Sequence, residues 1–195
     1  MIKALLGPNG AGKSTYLRRL MGLEVGCVDR QMAMVFQEPL LFDLTVRENI
    51  ALGLKFRKAK NIDQPVNVWL TKLGIAHLAG RRALTLSGGE AQKVALARAF
   101  VLEPKVLLLD EPFANLDFRT QVRLRKELKT IIIENKIETI WVTHNHAEAA
   151  AVADHLMIML NFTIVQEGHP REVMKNPKSA EIAEFFGVEW ATCFL

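Results

Sequence analysis

The chain alternates short, continuous apolar runs with longer segments whose apolar residues recur every three or four positions. Ile2 to Leu6, Met32 to Phe36, Val106 to Leu109 and Thr139 to Val142 have the length and content of strands. Between them, Ser14 to Met21 predicts a helix that buries Leu17, Leu20 and Met21, and Thr45 to Leu54 predicts a second. Pro65 to Leu78 predicts a third, with Val66, Leu70, Leu73 and Leu78 on its apolar face. Ser87 is expected to cap a helix over Ala91 to Leu102, because Glu90 stands three residues on, and Pro104 ends it. Further helices are expected at about Arg119 to Asn135, His146 to Ala153, Pro170 to Lys175 and Ser179 to Phe186, with a short strand near Thr163 to Val165.

Val106 to Leu109 has no polar position, which suits a central parallel strand covered on both faces. Strand followed by helix, repeated, predicts an α/β fold with a mostly parallel sheet flanked by helices. Residues 1–37 and 105–195 would form its core, and about 40–104 a helical subdomain of the same single domain. Ligands in such sheets gather at the carboxyl ends of the strands, where Gly7, Gln37, Asp110 and His144 all fall.

Bulk properties narrow the picture little. The 195 residues are 50% hydrophobic, enough for a real core. No apolar run approaches the roughly 18 residues of a spanning helix, and Met1 leads straight into a strand without a signal-peptide pattern. The expectation is a protein that neither crosses a membrane nor is exported. Cys27 and Cys193 are far apart and have no metal-ligand spacing around them, which suits a reducing cytosol. The net charge of +4 is mild, and groups such as Arg81-Arg82 and Lys55-Arg57-Lys58-Lys60 read as solvated faces rather than a nucleic-acid surface.

Chemistry enters at Gly7 to Thr15, G-P-N-G-A-G-K-S-T, which has the phosphate-loop spacing G-x-x-x-x-G-K-[ST] directly after a strand. Glycines at Gly7, Gly10 and Gly12, with Pro8, Asn9 and Ala11 between them, let successive N–H groups wrap phosphate oxygens. Lys13 would reach the β- and γ-phosphates and Ser14 would offer its hydroxyl to Mg²⁺, while Thr15 adds an N–H at a helix start. Of Asp110 and Glu111, one carboxylate can hold Mg²⁺ through a water and the other can polarise an attacking water. Gln37 can bind Mg²⁺ or a water. His144 could donate to a γ-phosphate or orient the nucleophile, whereas neighbouring His146 has no assigned role.

Ser87, Gly88 and Gly89 at a helix start form a second anion cradle in a chain that already has one. A head-to-tail dimer, with each cradle serving the nucleotide of the other protomer, accounts for both.

This set closely resembles the nucleotide-binding subunit of ATP-binding cassette (ABC) transporters, from about Leu5 to Gly187. The motifs that carry it occur in order: the phosphate loop, V-F-Q-E-P at Val35 to Pro39, L-S-G-G-E at Leu86 to Glu90, L-L-L-D-E-P ending in Asp110-Glu111-Pro112, A-N-L-D at Ala114 to Asp117, and V-T-H at Val142 to His144. The resemblance implies a P-loop NTPase with a RecA-like core that hydrolyses ATP with Mg²⁺. Lys13 would lie on the phosphates, Ser14, Gln37 and Asp110 at the metal, and Glu111 would act as general base. His144 would sense the γ-phosphate, Ser87 to Glu90 would act across a homodimer, and Asp117 would link the two sites.

Leu40-Leu41-Phe42, the segment to Ile50 and the tail at Gln166 to Val173 resemble importer ATPases in particular. Leu44, Val46 and Ile50 read as core, and Leu40 to Phe42 as a partner surface. The resemblance therefore implies a subunit on the cytoplasmic face of the membrane. Permease subunits would contact it near Gln37 to Asn49, and an extracytoplasmic binding protein would act through them. Soluble ABC ATPases of genome maintenance or translation carry long insertions or paired cassettes that this chain does not show, and a hydrolysis-impaired binding module fits poorly with intact Lys13, Asp110, Glu111 and His144.

Some positions depart from the family pattern. The phosphate loop begins at Gly7, with no upstream strands or adenine-stacking aromatic, and the interval from Lys13 to Gln37 is short. These features predict a reduced antiparallel β subdomain and weak discrimination between ATP and GTP. Glu90 replaces the commoner Gln, and Asn161-Phe162 stands where Gly-Arg is common, with no role readable from the sequence. The end soon after Gly187 predicts no C-terminal regulatory domain.

Overall fold

The computed structural model describes residues 1–24 and 29–187. Cys27 and Cys193, read above as suiting a reducing cytosol, lie outside the described residues. Six strands form one sheet: β1 (Ile2–Leu6), β2 (Met32–Val35), β3 (Val106–Asp110), β4 (Glu138–Val142), β5 (His155–Leu160) and β6 (Thr163–Gly168), in the order β2-β3-β4-β1-β5-β6. All neighbouring pairs are parallel except β5–β6. The antiparallel component of this sheet is thus β6, an edge strand, and an isolated antiparallel bridge joins Thr45 to Arg82.

Side-chain alternation divides the core. Leu5, Leu108 and Val142 point to the face covered by α1 (Lys13–Leu20), packing with Leu17 and Met157. Leu107, Leu109 and Trp141 point to the opposite face, into a core continuous with α2 (Val46–Phe56), α3 (Asp63–Lys72), α4 (Gly88–Phe100) and α5 (Phe118–Glu134). On that face nearer β5, Ala4, Leu6 and Ile158 meet α6 (His146–Val152), α7 (Pro170–Lys175) and α8 (Ala180–Phe186). β1 and β3 are therefore buried on both sides, as their apolar runs require.

Several elements differ from the sequence expectation. α1 buries a row at spacing four, Lys13 and Leu17, with Met21 beside it half-buried, so Leu20 falls off the row and is exposed. The expected helix over Pro65 to Leu78 is two pieces. Gly74 takes a φ of 66°, ends α3, and hands on to a single 3₁₀ turn at Ala76–Leu78. Pro65 is tolerated inside α3 because it sits in the first turn, where an N–H has no intrahelical partner. α4 starts at Gly88, three residues earlier than expected, directly after its cap. β5 was not expected at all: its apolar run follows α6 after only Ala153 and Asp154, without a Gly or Pro to announce it.

Candidate functional site

The carboxyl ends of β1, β2, β3 and β4 open onto one cleft of about 710 Å³. It is lined by Asn9, Gly10, Gly12 to Thr15, Gln37, Glu111, Ala114, Asn115, His144 and Phe162. The topology brings these together because the chain leaves each parallel strand at the same edge.

The phosphate loop is shaped by its glycines. A Cβ on Gly7 would lie 2.3 Å from the Met159 carbonyl oxygen on β5, so no larger residue fits there. Gly10 and Gly12 have φ of 83° and 96°, in the left-handed region that glycine enters without steric cost. Lys13 is only 6% exposed and donates from Nζ to the carbonyls of Gly7 at 2.8 Å and Pro8 at 3.0 Å. Burial holds its ammonium below the usual lysine value, and the Glu111 and Asp110 carboxylates oppose that shift. Pro8 and Ala11 complete the loop, with the Ala11 N–H bonded to the Pro8 carbonyl at 3.2 Å.

Ser14 Oγ donates to Asp110 Oδ1 at 3.0 Å, joining the start of α1 to the end of β3. Burial raises the Asp110 carboxyl above its ordinary value, opposed first by that hydroxyl bond. Ser14, Asp110 and the amide oxygen of Gln37 are hard oxygen donors of the kind Mg²⁺ takes when phosphates and waters complete its shell, so the residues fit that ion. Among the described residues there is no cluster of three His, Cys, Asp or Glu side chains that would hold a metal by itself.

Glu111 leaves β3 in a left-handed conformation, φ 45°, a strain on the order of 1 kcal/mol, with its N–H tied to the Val142 carbonyl at 3.1 Å. Its Oε2 lies 2.8 Å from His144 Nδ1. A carboxylate only accepts, so Nδ1 carries the proton in this contact and Nε2 is left for another partner. Just behind, the Thr143 hydroxyl bonds Glu148, whose carboxyl is raised by burial. His146 packs its ring edge-on to Phe185 and Phe186 instead of facing the cleft.

The other cradle lies apart. Ser87 caps α4 and accepts from the Glu90 N–H, while Glu90 Oε2 accepts from the Ser87 N–H at 2.8 Å. Bonds donated by the Ser87 N–H and hydroxyl hold the Glu90 carboxyl below the usual carboxylate range. Ser87, Gly88, Gly89 and Glu90 line a second cleft of about 600 Å³, together with Asp117. Asp117 caps α5 by accepting from the Thr120 N–H at 3.0 Å. Asn115 borders both clefts, so the A-N-L-D segment is the divider between them.

The loop after Gln37 is held from behind by residues the sequence did not single out. Arg98 donates to the carbonyls of Pro39 at 2.8 Å and Leu40 at 2.9 Å, and the wholly buried Asn49 bonds both the N–H and the carbonyl of Phe42. Leu40 and Phe42 remain 55% and 53% exposed, while Leu41 is half-buried against the core; of the three residues expected as core, Val46 and Ile50 are buried and Leu44 is only half-buried. Phe162 is another residue without a role in sequence. It becomes a wall of the first cleft because β5 and β6 form a hairpin, and the undetected β5 hid that turn.

A family profile described as "ABC transporter" matches residues 1–114. The chain belongs to the ABC transporter family. It is 41% identical to the molybdate/tungstate import ATP-binding protein WtpC of Thermococcus kodakarensis over 95% of this chain and 62% of that protein. It is 40% identical to the trehalose/maltose import ATP-binding protein MalK of Thermococcus litoralis over 94% of this chain and 56% of that one. The chain thus spans less than two thirds of these curated ABC relatives. Among solved structures, cbiO1 of Clostridium perfringens, part of the ABC transporter complex cbiONQ, matches with a TM-score of 0.79 and 30% identity, over 88% of this chain and 78% of that one. Among the described residues, no helix is long and apolar enough to cross a membrane.

Proposed function

We propose that the chain is the ATP-hydrolysing part of an ABC importer, a peripheral subunit on the cytoplasmic face of the membrane that dimerises around two ATP molecules. The observation that carries this reading is the separation of the two clefts. The first is lined by the phosphate loop, Gln37 and the Glu111–His144 pair, with Asp110 bonded to Ser14, but by no residue of Ser87 to Glu90, so it reads as half of a site.

Binding of ATP would draw Lys13 Nζ from the Gly7 and Pro8 carbonyls onto the β- and γ-phosphates, while the loop N–H groups and Thr15 take the remaining oxygens. Ser14, Asp110 and Gln37 would hold Mg²⁺, which supplies charge neutralisation across the phosphates. Glu111 accepts the proton of the attacking water. His144 steadies that carboxylate through Nδ1 and presents Nε2 towards the γ-phosphate. The second protomer supplies Ser87 and the Gly88 and Gly89 N–H groups to the same phosphate, with Asp117 between the sites. Leu40 and Phe42, backed by Arg98 and Asn49, offer the apolar surface on which a permease element would dock. The importer assignment is supported by the import functions named for the relatives, and any extracytoplasmic binding protein would act through the permease.

Glu111→Gln keeps the shape of Glu111 but removes the proton acceptor. With saturating ATP and Mg²⁺ it is expected to elute as a dimer in size-exclusion chromatography while releasing phosphate at least a hundredfold more slowly than the parent chain. A variant that stays monomeric would count against the shared site.

A further inference from the structure

The hairpin between β5 and β6 turns through two residues, Asn161 and Phe162, with Leu160 paired to Thr163. Both have positive φ, 45° and 63°, the geometry of a type I′ turn, in which the second position is ordinarily glycine. Phe162 is therefore strained, and it is also 65% exposed. Neither circumstance favours a phenylalanine for the fold.

The ring has a definite place. The Phe162 N–H donates to the Ala11 carbonyl at 2.9 Å, pinning the hairpin to the phosphate loop. A Cβ on Gly12 would lie 2.3 Å from Phe162 Cδ1, so the ring lies directly against the bare backbone of Gly12. Among the described residues it is the one aromatic side chain lining the first cleft, whose other lining residues, Ala114 apart, are polar or glycine. An exposed flat apolar face beside a triphosphate cradle matches the remaining part of a nucleotide, its base.

We propose that Phe162 is the stacking platform for the nucleobase, an inference that rests on the nucleotide reading above. A phenyl ring offers no hydrogen bonds, so it favours large flat bases without telling adenine from guanine. The site would then take purine nucleoside triphosphates as a class.

Calorimetric titration with ATP, GTP and inorganic triphosphate, each with Mg²⁺, tests this on the parent chain and on Phe162→Gly, Phe162→Leu and Phe162→Trp. Phe162→Gly gives the turn its preferred Asn-Gly sequence, so its melting temperature is expected to hold or rise. Stacking on an aromatic ring predicts a loss of ATP and GTP affinity of about fivefold to a hundredfold in the Gly variant, with inorganic triphosphate unaffected. Phe162→Leu should show most of the same loss, and Phe162→Trp should bind both nucleotides at least as tightly as the parent. Unchanged ATP affinity in the Gly variant would overturn the proposal. So would an equal change for inorganic triphosphate, which would mean that the ring shapes or covers the loop. A parent chain that binds neither ATP nor triphosphate would refute the nucleotide reading itself, and this proposal with it.

Discussion

The surroundings of Glu148 disfavour its charged form. Burial raises its pKa, and the Thr143 hydroxyl only partly offsets this. An acid with a higher pKa folded than unfolded holds its proton more tightly in the folded state. Folding is therefore penalised above the folded pKa, and the penalty fades as pH falls through it. Glu148→Gln keeps an acceptor for Thr143 and removes the charge. It is expected to raise the unfolding midpoint at neutral pH by a few degrees, about 1 kcal/mol, and to lose that gain on acidification into the region just above ordinary carboxylate values. Thermal melts of both proteins at neutral and acid pH decide it; a gain independent of pH would point to packing instead. At this scale the sequence was informative wherever chemistry demands a residue type at fixed spacing. Gly7 to Thr15 or Ser87 to Glu90 can be read without a structure, since a phosphate loop and a capping box are local. The Glu111–His144 contact cannot, because it joins positions 33 apart through the register of β3 and β4.

Among elements, the loop from Pro39 to Leu44 shows how a surface is stiffened from beneath. It has no helix or strand of its own, yet Asn49 on α2 satisfies the Phe42 N–H at 2.9 Å and the Phe42 and Thr45 carbonyls at 3.1 and 3.0 Å. Thr45 and Glu48 close a capping box at the start of the same helix. Asn49→Ala would strand buried backbone groups. A loss of about 2 to 3 kcal/mol is expected in denaturant unfolding, with faster proteolysis confined to residues around 40–45. A loss below about 0.5 kcal/mol would show that water replaces the side chain. Sequence periodicity found α2 but not this duty of Asn49, which reads as an ordinary polar position on an amphipathic helix. It missed β5 for a related reason: an apolar run entered without a Gly or Pro to mark its start is as consistent with a helix as with a strand. Gly74 was the opposite case, a visible breaker overridden by an apolar row that continued past it.

At the scale of the whole molecule, the proposed sharing of each nucleotide between two protomers makes a sharp numerical expectation. Lys13→Ala disables the phosphate loop and Ser87→Arg the other cradle, so in either homodimer every shared site contains one defective half. In a mixed dimer the two defects meet in one site, and the other site is built from an intact loop and an intact cradle. Equal amounts of the two proteins form mixed dimers half of the time, so independent sites would recover about a quarter of the parent rate when neither variant alone retains activity. The premise is that the two clefts, which share only Asn115 among their lining residues, serve different nucleotides. Phosphate release measured before and after mixing is the readout. Recovery that grows with total protein concentration would tie activity to association. If mixing yields no more than the average of the two variants, the cradle at Ser87 does not serve a partner's nucleotide, and its second anion site would need another ligand.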